Sequence, residues 1–515
     1  MSTTTISQTT TMSDAFAVES DHHGIFSFKS VYEAYITCRK RKRNTINALR
    51  FEVNLLKNLF DLIRSLSSGS YQPSRSVCFV THTPKMREVF AADFSDRVIH
   101  HLLVPKLEKI FEPKFIYDSH ACRKGKGIHA AAMRLKSFMN CVTLGGRIPA
   151  WFIQLDIKSF FMSIDKEILL KIIERHVKDE TVMELTRKII NYNNTLNYIY
   201  KGNPELLKKI PPHKTLFHTP ANKGLPIGNL TSQFFANVYL NELDQYVKHT
   251  LKAKYYLRYV DDFILLDRRK ERLLEMKDKI EDFLARKLVL SLKSKFFLKR
   301  VSDGADFLGY IIRHNYILVR NRVAGNLKSR LKWFSKRMIV EGKIGSKKYC
   351  IIHLRGEMIA KLRQVLASYL GHFKHANAHN LTKSLFEKYP YLKHIFTLDE
   401  SDRLVPQYEP PFYPPNLRSQ YKWFIERYKD YCLFFQIGRF CEFYGKEAEK
   451  FAPLFRMKMM KETRGMGKQC GFPVRMLKNF KKKALFAGQP YIVIAESGYY
   501  PPGLKRRVIT EIKKG

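Results

Sequence analysis

The sequence predicts an α+β core, then a basic helical lobe, then a second and smaller α/β unit, and three observations carry that prediction. Short apolar runs of strand type alternate with helical stretches between Trp151 and Tyr310. From Ala324 to Phe386 the apolar residues recur only at helical spacing, among many Lys and Arg. Pro406, Pro410, Pro411, Pro414 and Pro415 cannot continue a helix and read as a semi-rigid linker; strand and helix signals resume after Ser419.

Taken in order, Phe26 to Leu66 is apolar at helical spacing among basic residues, and Asp96 to Phe111 is a second helical stretch. Arg123-Lys124-Gly125-Lys126-Gly127 reads as a basic loop. Trp151-Phe152-Ile153-Gln154-Leu155 reads as a buried strand ending at Asp156, and a helix from Asp165 to Val177 takes Asp165 as its cap. Gly224 opens a Gly/Pro/Asn turn that leads into a helix through Phe234, Asn237, Leu240 and Leu243. Tyr255-Tyr256-Leu257 and Phe263-Ile264-Leu265-Leu266 flank Tyr259-Val260-Asp261-Asp262, which places adjacent carboxylates on a hairpin turn. A helix from Glu271 to Lys287 and a hairpin at Asp306-Phe307-Leu308-Gly309-Tyr310 complete the region.

Like charges side by side repel, and a half-buried carboxylate without a partner loses much of its solvation, so the Asp261-Asp262 turn marks a divalent metal site or a strained loop. Asp156, at a strand end, and Asp261, at the hairpin tip, can meet across adjacent strands and bind two Mg²⁺ ions, an arrangement suited to displacement at phosphorus. For either aspartate alone a solvated strand end is the alternative.

Composition narrows the partner. The 515 residues are 45% hydrophobic and 13% aromatic, enough to fill real cores, while 91 Lys and Arg against 47 Asp and Glu leave a net charge of +44. An excess of that size suits a polyanion, with nucleic acid foremost. A membrane is disfavoured, because no apolar run reaches about 18 residues and the basic residues are spread along the whole chain. Eight cysteines without zinc spacing read as reduced structural thiols of a cytoplasmic protein. The Ser/Thr-rich start, residues 1–22, reads as a disordered tail and not a signal peptide.

With these motifs in order, Arg87 to Tyr310 resembles a reverse transcriptase, an RNA-directed DNA polymerase (nucleotidyltransferase). Gln154-Leu155-Asp156-Ile157-Lys158-Ser159-Phe160-Phe161 is similar to that family's first metal motif and Tyr259-Val260-Asp261-Asp262 to its second. The resemblance implies that Asp156, Asp261 and Asp262 are catalytic, and that Ile157 adds its carbonyl to a site for two Mg²⁺ ions, Mn²⁺ being an alternative. It implies that Phe161 crowds a ribose 2′-hydroxyl, that Arg123 grips the incoming triphosphate and that Lys295 lies near the general-acid position, with Lys293 two residues away. Arg87 and Arg97 fall in the preceding motif, with a phosphate-binding or structural role, and Phe307-Leu308-Gly309-Tyr310 resembles the primer grip. The implied partners are an RNA template, a DNA primer or cDNA, and deoxynucleotides.

Leu225-Pro226-Ile227-Gly228-Asn229-Leu230-Thr231-Ser232-Gln233 departs from the Gln-Gly and Ser-Pro usual in the family. Ile227, Gly228, Ser232 and Gln233 instead resemble the enzymes of diversity-generating retroelements, which copy template adenines with errors and commonly need a small basic accessory protein. Domesticated or defence reverse transcriptases, and a binding protein with a vestigial site, are the alternatives. Near the C-terminus, Leu433 to Tyr444, Gly471-Phe472-Pro473 and Tyr491 to Glu496 resemble domain I of the mismatch-repair protein MutS. That resemblance implies that Phe440 stacks on a mispaired base while Glu442 hydrogen-bonds to it, so mismatched duplex DNA joins the expected partners. Arg439 and Cys441 depart from the family's usual Asp and Tyr. The expected organisation is thus a right-hand polymerase, with fingers and palm over 23–320 and a helical thumb over 321–395, then a linker over 396–418 and a MutS-like α/β module over 419–515.

Overall fold

The computed structural model describes residues 25–515 apart from 41, 83, 84, 463, 502 and 515, so the expected tail over 1–22 lies outside the described residues. The chain divides into two compact units, residues 1–305 with 313–315, and residues 306–312 with 316–515. No helix among the described residues is long and apolar enough to cross a membrane.

The first unit opens with helices Phe28–Arg39, Ile46–Val53 and Leu55–Ser67, whose buried Val31, Tyr35, Leu59 and Ile63 share a core with helix Phe94–Phe111. Strands β1 (Ser76–Thr81) and β2 (Arg87–Ala91) form an antiparallel hairpin. Next come β3 (Trp151–Asp156) and, pairing parallel with β1, β4 (Tyr198–Tyr200). Then β5 (Tyr255–Tyr259), β6 (Asp262–Asp267) and β7 (Phe297–Arg300) join β3 in a four-stranded sheet of order β5-β6-β3-β7. Ile153, Leu155, Phe263 and Leu265 pack one face of this sheet onto helices Leu230–Gln245 and Lys270–Leu288 through Leu240, Leu243, Leu273 and Ile280. The expected cap is formed: Asp165 Oδ1 accepts from Glu167 N at 3.0 Å and Ile168 N at 3.1 Å, satisfying amides that helix Lys166–Glu174 leaves unpaired.

In the second unit, β8 (Ala305–Phe307) leads to the antiparallel pair β9 (Tyr310–Ile312) and β10 (Ile317–Val319). Helices Asn321–Met338, Gly356–Phe373 and His379–Lys388 fill the stretch expected to be wholly helical, except that β11 (Ile339–Ile344) and β12 (Lys347–His353) interrupt it. The hairpin turns at Gly345, whose φ of +57° suits glycine. The expected linker also differs. It holds a short hairpin, β13 (Phe396–Leu398) with β14 (Leu404–Pro406), followed by a buried Tyr408 whose carbonyl accepts from Ile509 N at 2.7 Å.

The C-terminal strands β15 (Cys432–Ile437), β16 (Phe440–Tyr444), β17 (Gln469–Pro473), β18 (Tyr491–Tyr500) and β19 (Leu504–Lys514) join the interrupting hairpin in one seven-stranded sheet of order β11-β12-β19-β18-β15-β16-β17. Strand alternation sends Phe434, Cys441 and Phe443 to one face, against Phe451, Phe455 and Phe480 of helices Lys446–Phe455 and Leu477–Phe486. The other face sends Leu433, Phe435, Ile492 and Ile512 into a core shared with Leu331, Leu362, Leu366 and Phe424. One core therefore serves both the helical stretch and the C-terminal strands, because each presents an apolar face that the other covers.

Candidate active site

Strands β3 and β6 pair in a register that sets Asp156 opposite Asp262, while Asp261 occupies the turn between β5 and β6. The turn is fixed to the end of β3 by Ile157 N, which donates to Asp261 O at 3.3 Å. Val260 adopts a left-handed φ of +56°, a conformation that a β-branched residue takes only when its surroundings impose it.

The three carboxylates are not equivalent. Asp156 Oδ2 meets Lys293 Nζ at 2.5 Å, while Asp156 Oδ1 and the nearby Ser159 Oγ are buried without a hydrogen-bond partner. Burial, and then the charge of Asp156, pushes the Asp261 carboxyl above the ordinary range, against the pull of Lys293 and Arg87. Asp262 is pushed up to about 7, first by burial and then by both neighbouring carboxylates, although its hydrogen bond from Gln154 works the other way. Gln154 Nε2 donates to Asp262 Oδ1 at 3.0 Å and Oδ2 at 3.3 Å. Asp262 is thus held by Gln154, which shares a strand face with Asp156.

Among the described residues no three His, Cys, Asp or Glu side chains converge into a metal cage. What is present is a pair of half-buried carboxylates, one with an orphaned oxygen and one pushed toward protonation. That state is what a cation relieves, and Mg²⁺ characteristically takes one or two carboxylates and completes its shell with water and substrate phosphates. Asp156 and Asp261 have the chemistry such an ion takes.

Other expected residues fall differently. Arg123 is folded inward: Nε and Nη2 bond Glu112 at 2.9 and 2.8 Å, and Nη1 donates to Ile116 O at 2.7 Å and Ser119 O at 2.9 Å. A guanidinium so occupied and only 7% exposed organises its loop and does not reach for a triphosphate, which corrects that expectation. The arginine whose charge bears on Asp261 is Arg87, exposed at the start of β2. The two lysines near the expected general-acid position are placed differently. The Lys295 ammonium lies 5.7 Å from the Phe297 ring, and Lys293 is the lysine that meets Asp156.

Phe161 is half-buried, its ring 5.4 Å from that of Phe160, and its carbonyl accepts from Leu225 N at 2.8 Å. Ile227 O accepts from Phe90 N at 2.9 Å, and Asn229 Oδ1 from Ala92 N at 3.2 Å. Gly228, at φ +125°, leaves no room for a side chain: a Cβ there would stand 2.6 Å from Val89 Cγ1. Phe161 is thus joined to Leu225, and Ile227 to Asn229 lie against β2 and its end, with Ser232 buried and Gln233 exposed on the following helix. Arg97 is structural, its Nε donating to Ala92 O at 2.9 Å.

In the second unit, Tyr310 stacks on His372 with centroids 4.1 Å apart and donates to its carbonyl at 2.9 Å, anchoring the turn at Leu308-Gly309. Phe440 begins β16 at a sheet position where its ring is 47% exposed. Glu442 lies on the same strand face but accepts a hydrogen bond from Tyr444 Oη. Tyr444 is itself fixed, its N–H donating to Tyr421 Oη at 3.0 Å. Gln154 and Tyr444 were missed by sequence reasoning, which named Lys293 only as a neighbour of Lys295; for Gln154 and Tyr444, period-two spacing from Asp156 and Glu442 was the legible signal.

Residues 81–312 match the family model described as reverse transcriptase (RNA-dependent DNA polymerase), and residues 415–512 match MutS domain I. The group II intron-encoded protein LtrA of Lactococcus lactis subsp. cremoris is 26% identical over 49% of this chain and 49% of its own length, so the chain spans about half the length of that curated relative. Protein YkfC of Escherichia coli K12 is 25% identical over 54% of this chain and 76% of its own. Among solved structures, apo telomerase from Candida tropicalis shares 13% identity at a TM-score of 0.35, over 48% of this chain and 56% of that one. The chain carries a reverse transcriptase domain within residues 81–312 and a MutS domain I within residues 415–512.

Proposed function

We propose that this protein is an RNA-directed DNA polymerase that adds deoxynucleotides to a primer 3′-hydroxyl on an RNA template. The observation that carries this reading is the meeting of Asp156 and Asp261 at the open end of the β3–β6 pair, inside the segment that matches the reverse transcriptase family. Asp156, Asp261 and the Ile157 carbonyl would hold two divalent ions, Mg²⁺ or alternatively Mn²⁺, which when bound activate the attacking hydroxyl and neutralise the leaving pyrophosphate. Gln154 and Asp262 keep the neighbouring strand end polar and ordered. Arg87, exposed and electrostatically linked to Asp261, is suited to the triphosphate, and Phe161 to selecting deoxyribose. Lys293, paired with Asp156, is suited to donate a proton to the leaving group.

The finer role is error-prone copying in a diversity-generating retroelement. Ile227 and Gln233 support it, since side chains there replace the Gln and Pro that would limit the fit of a wrong base pair. The names of the curated relatives favour a second reading, an intron-type reverse transcriptase. The C-terminal domain is proposed to bind distorted or mismatched duplex through the exposed Phe440, with Glu442 beside it.

Primer extension on RNA with Mg²⁺ tests the reading. Wild type is expected to incorporate deoxynucleotides and Asp261→Asn not to; a wild type inactive with every primer tried would overturn it. Product sequencing separates the roles: errors concentrated opposite template adenine support the retroelement, and uniform accuracy supports the intron type.

A further inference from the structure

We propose that Arg258 is the positioning residue of the catalytic turn, holding Val260 and Asp261 against Asp156 and tying them to the basic loop around Arg123. This rests on the polymerase reading above.

Arg258 lies on β5 with its side chain fully buried, and all five guanidinium N–H donors have acceptors. Nε reaches Asp244 Oδ1 at 2.8 Å and Nη2 reaches Asp244 Oδ2 at 2.6 Å. Nη2 also donates to Ser119 Oγ at 3.1 Å, while Nη1 donates to Asn237 Oδ1 at 3.3 Å and to Val260 O at 3.1 Å. A buried arginine needs a counter-charge, and Asp244, equally buried, supplies it through a bidentate pair. Neutralisation uses only part of the fork. The remaining donors go to three separate places: the loop at Ser119, helix Leu230–Gln245 at Asn237, and the turn at Val260. A lysine could neutralise Asp244 but could not span all three, because its ammonium is a compact point and not a planar fork.

The contact with Val260 bears on chemistry. A β-branched residue at φ +56° is strained, and such a conformation persists only when neighbours over-determine it. Here the Val260 carbonyl is held by Arg258 and the Asp261 carbonyl by Ile157 N, so both peptide groups of the turn are pinned. The loop end is pinned as well: Arg258 N donates to Asp118 O and His120 N to Arg258 O, each at 3.0 Å, and Arg123 Nη1 holds Ser119 O. Basic loop, helix and catalytic turn thus form one hydrogen-bonded net with Arg258 at its centre.

The test measures Arg258→Lys by steady-state primer extension, primer-template binding and Mn²⁺ titration followed by electron paramagnetic resonance. The expected result is a kcat lower by about 10- to 100-fold, the scale of a misplaced reacting group, with Mn²⁺ binding weakened and primer-template Kd unchanged. Adding Val260→Gly, which accepts positive φ without strain, should recover a large part of the lost kcat. A folded Arg258→Lys with wild-type kcat, or a loss that Val260→Gly leaves untouched, overturns the proposal in favour of a plain core ion pair. If Arg258→Lys does not fold, Ser119→Ala decides, since it removes one acceptor only: a lower kcat supports the net and a wild-type kcat overturns it. An inactive wild type would instead overturn the polymerase reading itself.

Discussion

The carboxylate turn in the first unit and the Phe440–Glu442 element in the second are both short motifs on a strand, yet the fold treats them in opposite ways. Asp261 is drawn into a half-buried site whose main chain is pinned on both sides, and burial and the charge of Asp156 outweigh the pull of Lys293 and Arg87 on its carboxylate. Phe440 is left largely open to solvent, while the acid beside it is already satisfied by Tyr444. An unmet electrostatic need points to a ligand that must arrive for the site to be stable, whereas an exposed ring beside a satisfied acid points to a surface that meets its partner by stacking.

The largest expected effect separates the two directly. Asp261→Asn should lower primer extension by at least about 1,000-fold, the order expected when a metal-assisted step loses a ligand, and leave duplex binding intact. Comparable extension by the variant would remove the distinction. The shared core of the second unit comes next. Phe435, fully buried against Tyr421 and Phe424, should cost about 3–5 kcal/mol when truncated to Ala, with near- and far-ultraviolet circular dichroism of the unit lost in a single transition. Two separate transitions would show that helices and strands are independent after all.

A third measurement probes how dry the interior of the first unit is. Burial, with smaller contributions from His101 and Arg97, pushes His100 down to about 3 from its ordinary 6.5. The unfolded chain therefore binds a proton below pH 6.5 that the folded chain refuses, and stability falls as pH drops from 6.5 toward 3, by about 2 kcal/mol at pH 5 from this group. His100→Asn should flatten that slope in urea unfolding; an unchanged slope would mean water reaches the ring. The smallest effect belongs to the open element. Phe440→Ala should weaken mismatched-duplex binding more than perfect-duplex binding, and Tyr444→Phe, which frees Glu442, should strengthen mismatch binding by a few-fold, about 1 kcal/mol or less. Equal changes on both duplexes would reduce the domain to general duplex binding.

Much of this is legible in the sequence. Trp151 to Asp156, the hairpin carrying Asp261 and the Asp165 cap are set by local pattern, and the structure has each of them. The partners of those residues were not legible, because they are tertiary. Nothing local says that Arg123 will fold onto Glu112 and leave the outward role to Arg87, or that Lys293 and not Lys295 will face Asp156. Arg258 is a charge inside an apolar strand, and its meaning lies in Asp244 beside it. The β11–β12 hairpin was hidden differently. Ile339-Val340 and Tyr349-Cys350-Ile351-Ile352 around Gly345 carry a strand signal, but the basic helices on either side carry a longer one.

That hairpin has a consequence for how such a chain arises and how it can be taken apart. Because β12 pairs with β19 and the two regions share a core, the C-terminal sheet is integral to the second unit and not a cassette on a tether. A cut near residue 415 would strip Leu362 and Leu366 of their cover and bare the β12 edge, an invitation to aggregate. Recombination that swapped the last hundred residues for an unrelated domain would meet the same obstacle, so the two halves are expected to be inherited together.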